Sequence, residues 1–333
     1  MTGAIIIIGA EVADLSSENA LCAAAPVAHV PYWFVEVLGC SLLERTIQNL
    51  RRCGIEKVSI LVDKKWKDGS AEIGAIVSRP LRWVENAWAA AEDELRAFQA
   101  DGIDRSLMMS ATSYAELDLA ELLQFHDEQK KDVTTVSSRN LPLDLWVVNV
   151  RTFRNEFPLD RELNARACGS GAAQYSARGY VNLLQSAREL RRVVSDSFNA
   201  ACRLCPYGQE MRPGVWIGEA AEVHRAARIV APAFIGRGSK IEEQCLITRC
   251  SNIESNCLID YGTVVEDSYI LANTYVGIGL DITHSVVRGN TLVNLERNVA
   301  LQIADQGVIR PNRVLRKEAS RSSSSSLRLV GTH

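Results

Sequence analysis

The chain has 333 residues, of which 47% are hydrophobic and 23% are charged, and its formal net charge is −3. This length predicts about two domains with a substantial core, and the balanced charge argues against a disordered chain and against a nucleic-acid-binding protein. No apolar run approaches the roughly 18 residues that a membrane-spanning helix needs, and residues 1–3 lack the positive charge of a secretory leader. We therefore expect a cytoplasmic protein without a membrane partner.

The first half of the chain alternates predicted strands and helices. Residues 4–8, an alanine followed by four isoleucines, are typical of a strand buried on both faces, and Gly9 follows them. Further along, the apolar spacing predicts helices over 41–53, 88–100 and 117–129, and strands over 58–62, 107–109, 133–136 and 145–150. The alternation predicts an α/β domain over residues 1–150, with a mostly parallel, Rossmann-like sheet.

Residues 151–214 are predicted to form a helical connector, with a loop at 169–171 and a helix over 180–194. This stretch also contains Cys202 and Cys205, a single C-x-x-C pair among nine scattered cysteines. Because no second pair of Cys or His stands at a ligand spacing, we interpret the cysteines as reduced structural thiols and not as a metal or redox site.

A six-residue period governs the last third of the chain. Every sixth residue is aliphatic at ten successive positions: Ile217, Val223, Ile229, Ile235, Ile241, Ile247, Ile253, Ile259, Val265 and Leu271. A small residue stands four positions after each of the first eight: Ala221, Ala227, Ala233, Ser239, Cys245, Ser251, Cys257 and Thr263. A period of six fits neither an amphipathic helix nor an alternating strand, and predicts short strands joined by tight turns into stacked coils, a parallel β-helix over residues 215–303.

In such a β-helix the aliphatic residues stack inside and the small residues lie near corners. Gly218, Gly236, Gly238 and Gly262 are expected to supply turn conformations that other residues adopt with strain. After Leu271 the register slips, and we interpret residues 281–303 as an irregular cap. Residues 304–333 follow as a C-terminal segment whose serine-rich tail is predicted to be disordered.

The order of these two patterns resembles the sugar-nucleotide pyrophosphorylases, sugar-1-phosphate nucleotidyltransferases in which a Rossmann-like nucleotidyltransferase domain precedes a left-handed β-helix of hexapeptides. Residues 37–62, 117–126 and 212–218 are similar to framework segments of that family. The resemblance implies an α/β domain followed by a left-handed parallel β-helix. In active relatives, Mg²⁺ assists the transfer of a nucleotide to a sugar phosphate.

The positions that match this family's chemistry carry other residues here. The family's phosphate-binding loop, Gly-Gly-x-Gly-Thr-Arg-Leu, matches residues 9–15, where two of the three glycines are replaced and Asp14 stands in place of the arginine. Tyr32 stands at the phosphate-contacting lysine, and Thr112 stands at the aspartate that holds Mg²⁺. A hydroxyl is a poor substitute for a carboxylate on a hard cation. The segment between Val136 and Leu145 also lacks the family's sugar-contacting strands.

We therefore predict no catalytic residues, no bound metal and no cofactor. The expected remnant of the nucleotide cleft consists of Gly9, Ala10, Glu11, Asp14, Asn86 and Thr112. The chain would serve as a regulatory or scaffold subunit that binds a nucleotide or nucleotide sugar, and it would associate with itself or with a related active subunit.

Two other functions are open at this point. An active nucleotidyltransferase would have to hold its metal with Glu11, Asp14 and Glu116. A hexapeptide-repeat acyltransferase would use His224 or His284 as its base, although a turn histidine and a structural histidine are the ordinary explanations of these two residues.

Overall fold

A computed structural model of the chain describes residues 1–9, 31–69, 80–139, 141–154, 158–168 and 171–312. The chain divides into two compact units, Met1–Cys205 and Pro206–His333. The serine-rich tail, for which disorder is predicted, lies outside the described residues. Among the described residues, no helix has both the length and the apolar character needed to cross a membrane.

The first unit alternates helices and strands, as the sequence predicts. Its helices are α1 (Leu42–Arg52), α2 (Ala87–Ala100), α3 (Leu119–Gln129), α4 (Leu159–Cys168) and α5 (Ala187–Phe198), and short 3₁₀ helices cover Tyr32–Phe34 and Lys64–Gly69. Its strands are β1 (Thr2–Ile8), β2 (Glu36–Val37), β3 (Cys40–Ser41), β4 (Val58–Asp63), β5 (Arg82–Val84), β6 (Arg105–Ser110), β7 (Tyr114–Ala115), β8 (Val133–Ser138), β9 (Leu141–Asn149), β10 (Ala173–Ser176) and β11 (Val181–Asn182).

Side-chain caps fix where several of these helices begin. The Ser41 hydroxyl accepts a hydrogen bond from the Glu44 amide at 3.2 Å, and the Asp118 carboxylate accepts one from Glu121 at 3.0 Å. A serine or aspartate followed three residues later by a glutamate is a capping pattern that the sequence itself displays. Because Asp118 is the cap, α3 starts at Leu119 and not at 117.

A seven-stranded mixed sheet forms the centre of the first unit, in the order β10-β8-β9-β6-β1-β4-β5. β1 runs parallel to β4 and β6, and β4 runs parallel to β5, whereas β9 is antiparallel to its two neighbours. All residues of β1 from Ala4 to Ile8 are fully buried, which confirms the prediction of a strand covered on both faces. This arrangement is compatible with the predicted Rossmann-like domain.

The stretch predicted as a helical connector, residues 151–214, contributes elements to both units. β10 pairs in parallel with β8 and extends the main sheet, so this part of the chain belongs to the first compact unit. The helix predicted over 180–194 is present but starts later: β11 pairs with β7 at 181–182, and α5 begins at Ala187 because the Ser186 hydroxyl caps it.

The second unit consists of short strands. They are β12 (Gln209–Arg212), β13 (Val215–Ile217), β14 (Glu222–Val223), β15 (Arg228–Ile229), β16 (Ala233–Ile235), β17 (Lys240–Ile241), β18 (Leu246–Thr248), β19 (Ser251–Ile253), β20 (Leu258–Ile259), β21 (Val264–Glu266), β22 (Tyr269–Ile270), β23 (Thr274–Val276), β24 (Asp281–Thr283), β25 (Ser285–Arg288), β26 (Thr291–Asn294), β27 (Val299–Gln302) and β28 (Ile309–Pro311).

From β13 to β25 successive strands enter three sheets in rotation, and each strand up to β22 pairs in parallel with the strand three places further along the chain. Ile217 pairs with Ile235, Val223 with Ile241 and Ile229 with Ile247, each pair eighteen residues apart. The aliphatic residues predicted to stack together, from Ile217 to Val265, lie in or against one apolar core. Each six-residue repeat therefore contributes one residue to the core, and successive repeats lie in successive sheets.

The register slips one step earlier than the sequence pattern suggests. Ile253 pairs with Ile270, seventeen residues on, so Ile270 takes the core position that the six-residue count assigns to Leu271. Regular parallel pairing then continues through β24 and β25, which pair with β21 and β22. The predicted cap over 281–303 is therefore too long: antiparallel pairing begins with β26 and β27.

The small residues of the repeat form hydrogen bonds in addition to fitting where a larger side chain would not. The hydroxyls of Ser239, Ser251 and Thr263 donate to backbone carbonyls of the next turn of the chain, at 2.6, 3.1 and 2.5 Å. The thiols of Cys245 and Cys257 donate in the same way, to the carbonyls of Asp260 and Leu271. These polar groups are buried, so the bonds remove the cost of leaving them unpaired.

The repeat glycines divide into two kinds. Gly262 and Gly238 have positive φ angles of 69° and 64°, as the turn interpretation expects. Gly236 is different, because a Cβ atom there would lie 2.5 Å from the backbone carbon of Glu254, and Gly218 faces Arg237 in the same way. At those two positions the glycine permits close approach of successive turns of the chain, not a special φ angle.

Candidate functional site

The candidate site lies where the parallel strands β1, β4, β5 and β6 end. Because these strands run in one direction, their carboxyl ends meet at the same edge of the sheet. Gly9 follows β1, Asp63 ends β4, Asn86 follows β5 by two residues, and Thr112 follows β6 by two. The sequence-based prediction therefore brings Gly9, Asn86 and Thr112 to one edge. Ala10, Glu11 and Asp14 lie outside the described residues.

Two tryptophans flank Gly9. The Trp66 indole Nε1 donates to the Gly9 carbonyl at 3.2 Å. A Cβ atom on Gly9 would lie 3.8 Å from the indole nitrogen of Trp88, whose ring packs edge-on against Trp146 with ring centres 5.8 Å apart. Gly9 is therefore buried between the edges of two half-buried indole rings, and aromatic side chains of this kind can stack a planar ring.

Asn86 is the cap of helix α2. Its side-chain oxygen accepts from the amides of Trp88 and Ala89, at 2.9 and 3.1 Å. These bonds satisfy two amides that a helix start leaves free. Asn86 is thus placed at the predicted edge, but its carboxamide oxygen is already used by the fold.

Thr112 is bonded to a carboxylate that the sequence analysis did not single out. Its hydroxyl donates to Asp144 Oδ2 at 2.8 Å. Asp144 lies near the start of β9, and it reaches this edge because Leu145 pairs with Met109 of β6 in antiparallel register. The one sequence signal is that Asp144 interrupts an otherwise apolar strand, between Leu143 and Leu145.

Asp144 also lines a pocket beside Thr112. The pocket has a free volume of about 450 Å³, including open solvent at its entrance. Its lining includes Trp33, Thr46, Asn49, Ser110 and Ser113. The indole Nε1 of Trp33 donates to the Ser113 carbonyl at 3.2 Å and fixes the ring there. The pocket is a mixed apolar and polar concavity with one carboxylate in its lining.

Tyr32 opens the 3₁₀ helix that carries Trp33. Burial raises the pKa of its phenol to about 12, because the ionised form loses its hydration. The side chain is therefore uncharged at neutral pH. At the position where the resemblance requires a lysine, the chain carries a neutral group.

The cations near the site belong to a run that follows β4 directly, Lys64-Lys65-Trp66-Lys67. Lys64 is ion-paired with Glu85, and Lys65 lies over the Trp66 ring with its Nζ 5.4 Å from the ring centre. These side chains are exposed or half-buried. The sequence analysis missed this run, although a tryptophan among lysines at the end of a buried strand is a usable signal.

Glu116, which an active enzyme with altered ligands would need as a metal ligand, is engaged elsewhere. Its two carboxylate oxygens accept from the Arg203 amide at 2.9 and 2.7 Å, and one of them accepts from the Tyr114 hydroxyl at 3.2 Å. Across the part of the chain that the structure describes, no group of three or more His, Cys, Asp or Glu residues is placed to hold a metal ion.

The cysteine pair and the histidines fall into distinct environments. Burial raises the pKa of Cys202 to about 11, so its thiol stays protonated at neutral pH, while Cys205 is exposed and both are free thiols. His126 is buried, bonded to the Thr134 hydroxyl at 2.8 Å, and burial lowers its pKa. His224 Nδ1 accepts from the amide of Ala226 within its own turn, at 3.3 Å.

Among the three described histidines, His284 differs from His126 and His224 because it is ion-paired with a carboxylate. Its Nδ1 lies 2.7 Å from Asp267 Oδ2, and the two side chains are 37% and 41% exposed. The two residues occupy the same corner seventeen positions apart, both with positive φ angles. A carboxylate on one ring nitrogen orients the other nitrogen of the imidazole.

Comparison with known proteins gives no match: no family model matches the sequence, and no curated protein matches it.

Proposed function

We propose that the chain is a catalytically silent relative of the sugar-nucleotide pyrophosphorylases, which binds a nucleotide or nucleotide sugar and acts as a regulatory or scaffold subunit. In this proposal the first unit is a nucleotidyltransferase-like domain and the second unit is a left-handed β-helix. The mixed sheet with its parallel strands supports the first assignment, and the rotation of the chain through three sheets supports the second.

The pair of Thr112 and Asp144 is the observation that carries the proposal. Transfer of a nucleotidyl group depends on positioning and on metal and cationic charge that neutralises the phosphates. Here a hydroxyl occupies the position matched to the metal ligand, and it donates to the neighbouring carboxylate. One carboxylate and one hydroxyl are a weak donor set for Mg²⁺, which is bound through carboxylates and phosphates. The described residues do not fit the family's metal.

The phosphate side of the cleft supports the same conclusion. Tyr32 is a neutral phenol where the resemblance requires a cation, and Lys64 is paired with Glu85. A lost contact worth about 3 kcal/mol costs roughly a hundredfold in rate. The aromatic surfaces of Trp66 and Trp88 beside Gly9 remain suited to a base. The cleft therefore favours binding over transfer.

An assay of pyrophosphate release tests the catalytic part. The chain is incubated with each nucleoside triphosphate, a panel of sugar 1-phosphates and Mg²⁺, and we expect no release above the protein-free rate. Turnover that depends on Mg²⁺ would contradict the proposal. It would favour an active transferase with metal ligands from Glu11 and Asp14.

Calorimetric titration with nucleotide sugars tests the binding part. We expect binding that is unchanged by a chelator and weakened at least about fivefold by Trp66→Ala, because stacking on an aromatic ring contributes about 1–3 kcal/mol per base. Tyr207→Ala is the matched control, since Tyr207 is an exposed aromatic residue of the other unit. Equal loss in both variants, or no binding at all, would refute the assignment of the cleft.

The contact between His284 and Asp267 favours a second candidate, an acyltransferase of the hexapeptide-repeat type. A carboxylate that orients an exposed imidazole is an arrangement suited to a general base. Turnover of an acyl-CoA that is lost in His284→Ala and kept in His224→Ala would support this candidate. Absence of turnover with a panel of acceptors would argue against it.

A further inference from the structure

Strand β27 forms one edge of the largest sheet of the second unit. The sheet order runs from β12 to β27, and within the described residues β27 pairs on one side alone, with β26. Its four residues, Val299–Gln302, include no charge and no proline. Proteins normally protect such an edge with a lysine, a proline or a covering segment, because its free amides and carbonyls recruit another strand.

An apolar row runs out of the core to this edge. Val287, Leu292 and Leu301 are directly opposite one another on β25, β26 and β27, so their side chains share one face of the sheet. Val287 is fully buried, Leu292 is partly buried, and Leu301 is 48% exposed. Val299, on the same face two residues before Leu301, is 38% exposed. The edge strand therefore ends an apolar surface that residues 206–312, the described part of its own unit, leave partly exposed.

The backbone groups of β27 alternate between its partner and the open edge. The Ile303 amide donates to the Asn290 carbonyl at 2.7 Å, so the polar groups of 303, 301 and 299 point towards β26. Those of Ala300 and Gln302 then point outward. An antiparallel strand could bond to these two residues without changing the pairing inside the unit.

This edge is complementary to itself. If two copies meet in antiparallel register about a two-fold axis at Leu301, Ala300 of one copy bonds to Gln302 of the other, which uses the outward groups. The same register places Val299 opposite Ile303 and the two Leu301 side chains next to each other, joining the apolar rows. Arg297 lies in the turn before β27, Asp305 lies after it, and both are exposed. Antiparallel packing places the Arg297 end of one copy at the Asp305 end of the other, so opposite charges face each other at each end.

We propose that the protein is a two-fold symmetric homodimer joined by antiparallel pairing of the two β27 edges, with Leu301 at the axis. The interface is isologous, since the same strand contributes to both sides and the contact closes after two copies. The inference does not depend on the proposed function, because it uses backbone directions, exposure and charge of the second unit.

Sedimentation of the full chain at micromolar concentration gives the first test, and we expect a dimer. Leu301→Lys places two like charges at the axis, so we expect at least a tenfold weaker dimer. Val230→Lys is the matched control, because Val230 is a 40% exposed aliphatic residue of the same unit that follows β15, a strand of another sheet, and its dimer should be unchanged. A monomeric wild-type chain, or equal weakening by both substitutions, would overturn the proposal.

Charge reversal tests the register without relying on one variant's stability. Arg297→Asp and Asp305→Arg each place like charges at both ends of the ladder, so each should weaken the dimer. An equimolar mixture of the two variants places opposite charges at both ends, so we expect dimers to reform as heterodimers. If the mixture forms no more dimer than either variant alone, the proposed register is contradicted.

A cysteine scan locates the axis. Leu301→Cys places two thiols in a non-bonded antiparallel pair with Cα atoms about 4.5 Å apart, a separation that a disulfide spans. We expect mild oxidation to link two copies of this variant, above the level of the wild-type chain with its native cysteines. Val299→Cys, whose two copies lie several residues apart, should stay at the wild-type level. Preferred linkage through Ala300→Cys, or the open-ended assembly that β27–β12 pairing would produce, would refute the two-fold arrangement.

Discussion

Restoring a carboxylate at position 112 tests whether this edge is the remnant of a metal site. In Thr112→Asp, a second carboxylate would stand beside Asp144, whose Oδ2 now lies 2.8 Å from the Thr112 hydroxyl. Two carboxylates about 4 Å apart repel by about 4 kcal/mol at an effective dielectric constant of 20. We therefore expect the variant to be less stable than the wild-type chain when no divalent cation is present.

Mg²⁺ should reverse this loss, because the cation neutralises both carboxylates. A site with a dissociation constant of about 1 mM gains about 1.4 kcal/mol in 10 mM Mg²⁺. For a unit of this size, about 2–4 °C per kcal/mol gives a rise in melting temperature of about 3–6 °C. The measurement is thermal unfolding by circular dichroism, with and without Mg²⁺.

Two controls separate metal binding from a general effect of salt. Thr112→Asn has nearly the same shape as Thr112→Asp without the charge, and it should show no Mg²⁺-dependent shift beyond the wild-type chain. Asp144→Asn in the Thr112→Asp background should remove most of the shift. If Thr112→Asp responds to Mg²⁺ no more than Thr112→Asn does, position 112 does not match the family's metal ligand, and the reasoning behind the silent site fails.

Three further predictions concern stability, each measured by urea unfolding of the intact chain. Burial lowers the pKa of His126 from 6.5, so the folded chain should lose stability as the pH falls below 6.5, by up to about 1.4 kcal/mol in the free energy of unfolding per pH unit. His126→Gln should make this pH dependence less steep, and equal slopes for the variant and the wild-type chain would contradict the prediction. Ile253→Ala should cost about 2–5 kcal/mol and Ile253→Val about 0.5–1.5 kcal/mol, because the side chain is fully buried in the core of the second unit; similar small losses for both would argue against that core position. Gly236→Ala should lower the free energy of unfolding by about 1–3 kcal/mol, because the new Cβ would lie 2.5 Å from a backbone atom. Gly262→Asn should be close to neutral, because φ is 69° there and the space around it is open. The reverse order would refute the distinction between the two kinds of glycine.

Local patterns determined much of the fold from the sequence alone. The six-residue period placed Ile217 to Val265 in one core, because each six-residue repeat contributes one short strand with an aliphatic residue facing inward. The isoleucine run of β1 is buried as predicted. The start of α1 was predicted to within one residue, whereas α3 was predicted from 117 and begins at Leu119, because the Asp118 carboxylate caps its first turn.

The tertiary structure alone decided what depends on residues far apart in the chain. Asp144 reaches Thr112 because β9 runs antiparallel to β6, and no local pattern specifies that direction. Asn86 is placed at the predicted edge, but its oxygen is already used to cap α2. The shift from Leu271 to Ile270, and the edge at β27 that is unpaired among the described residues, follow from strand pairing. Contacts between strands far apart in the chain decide that pairing, and the spacing within one repeat does not.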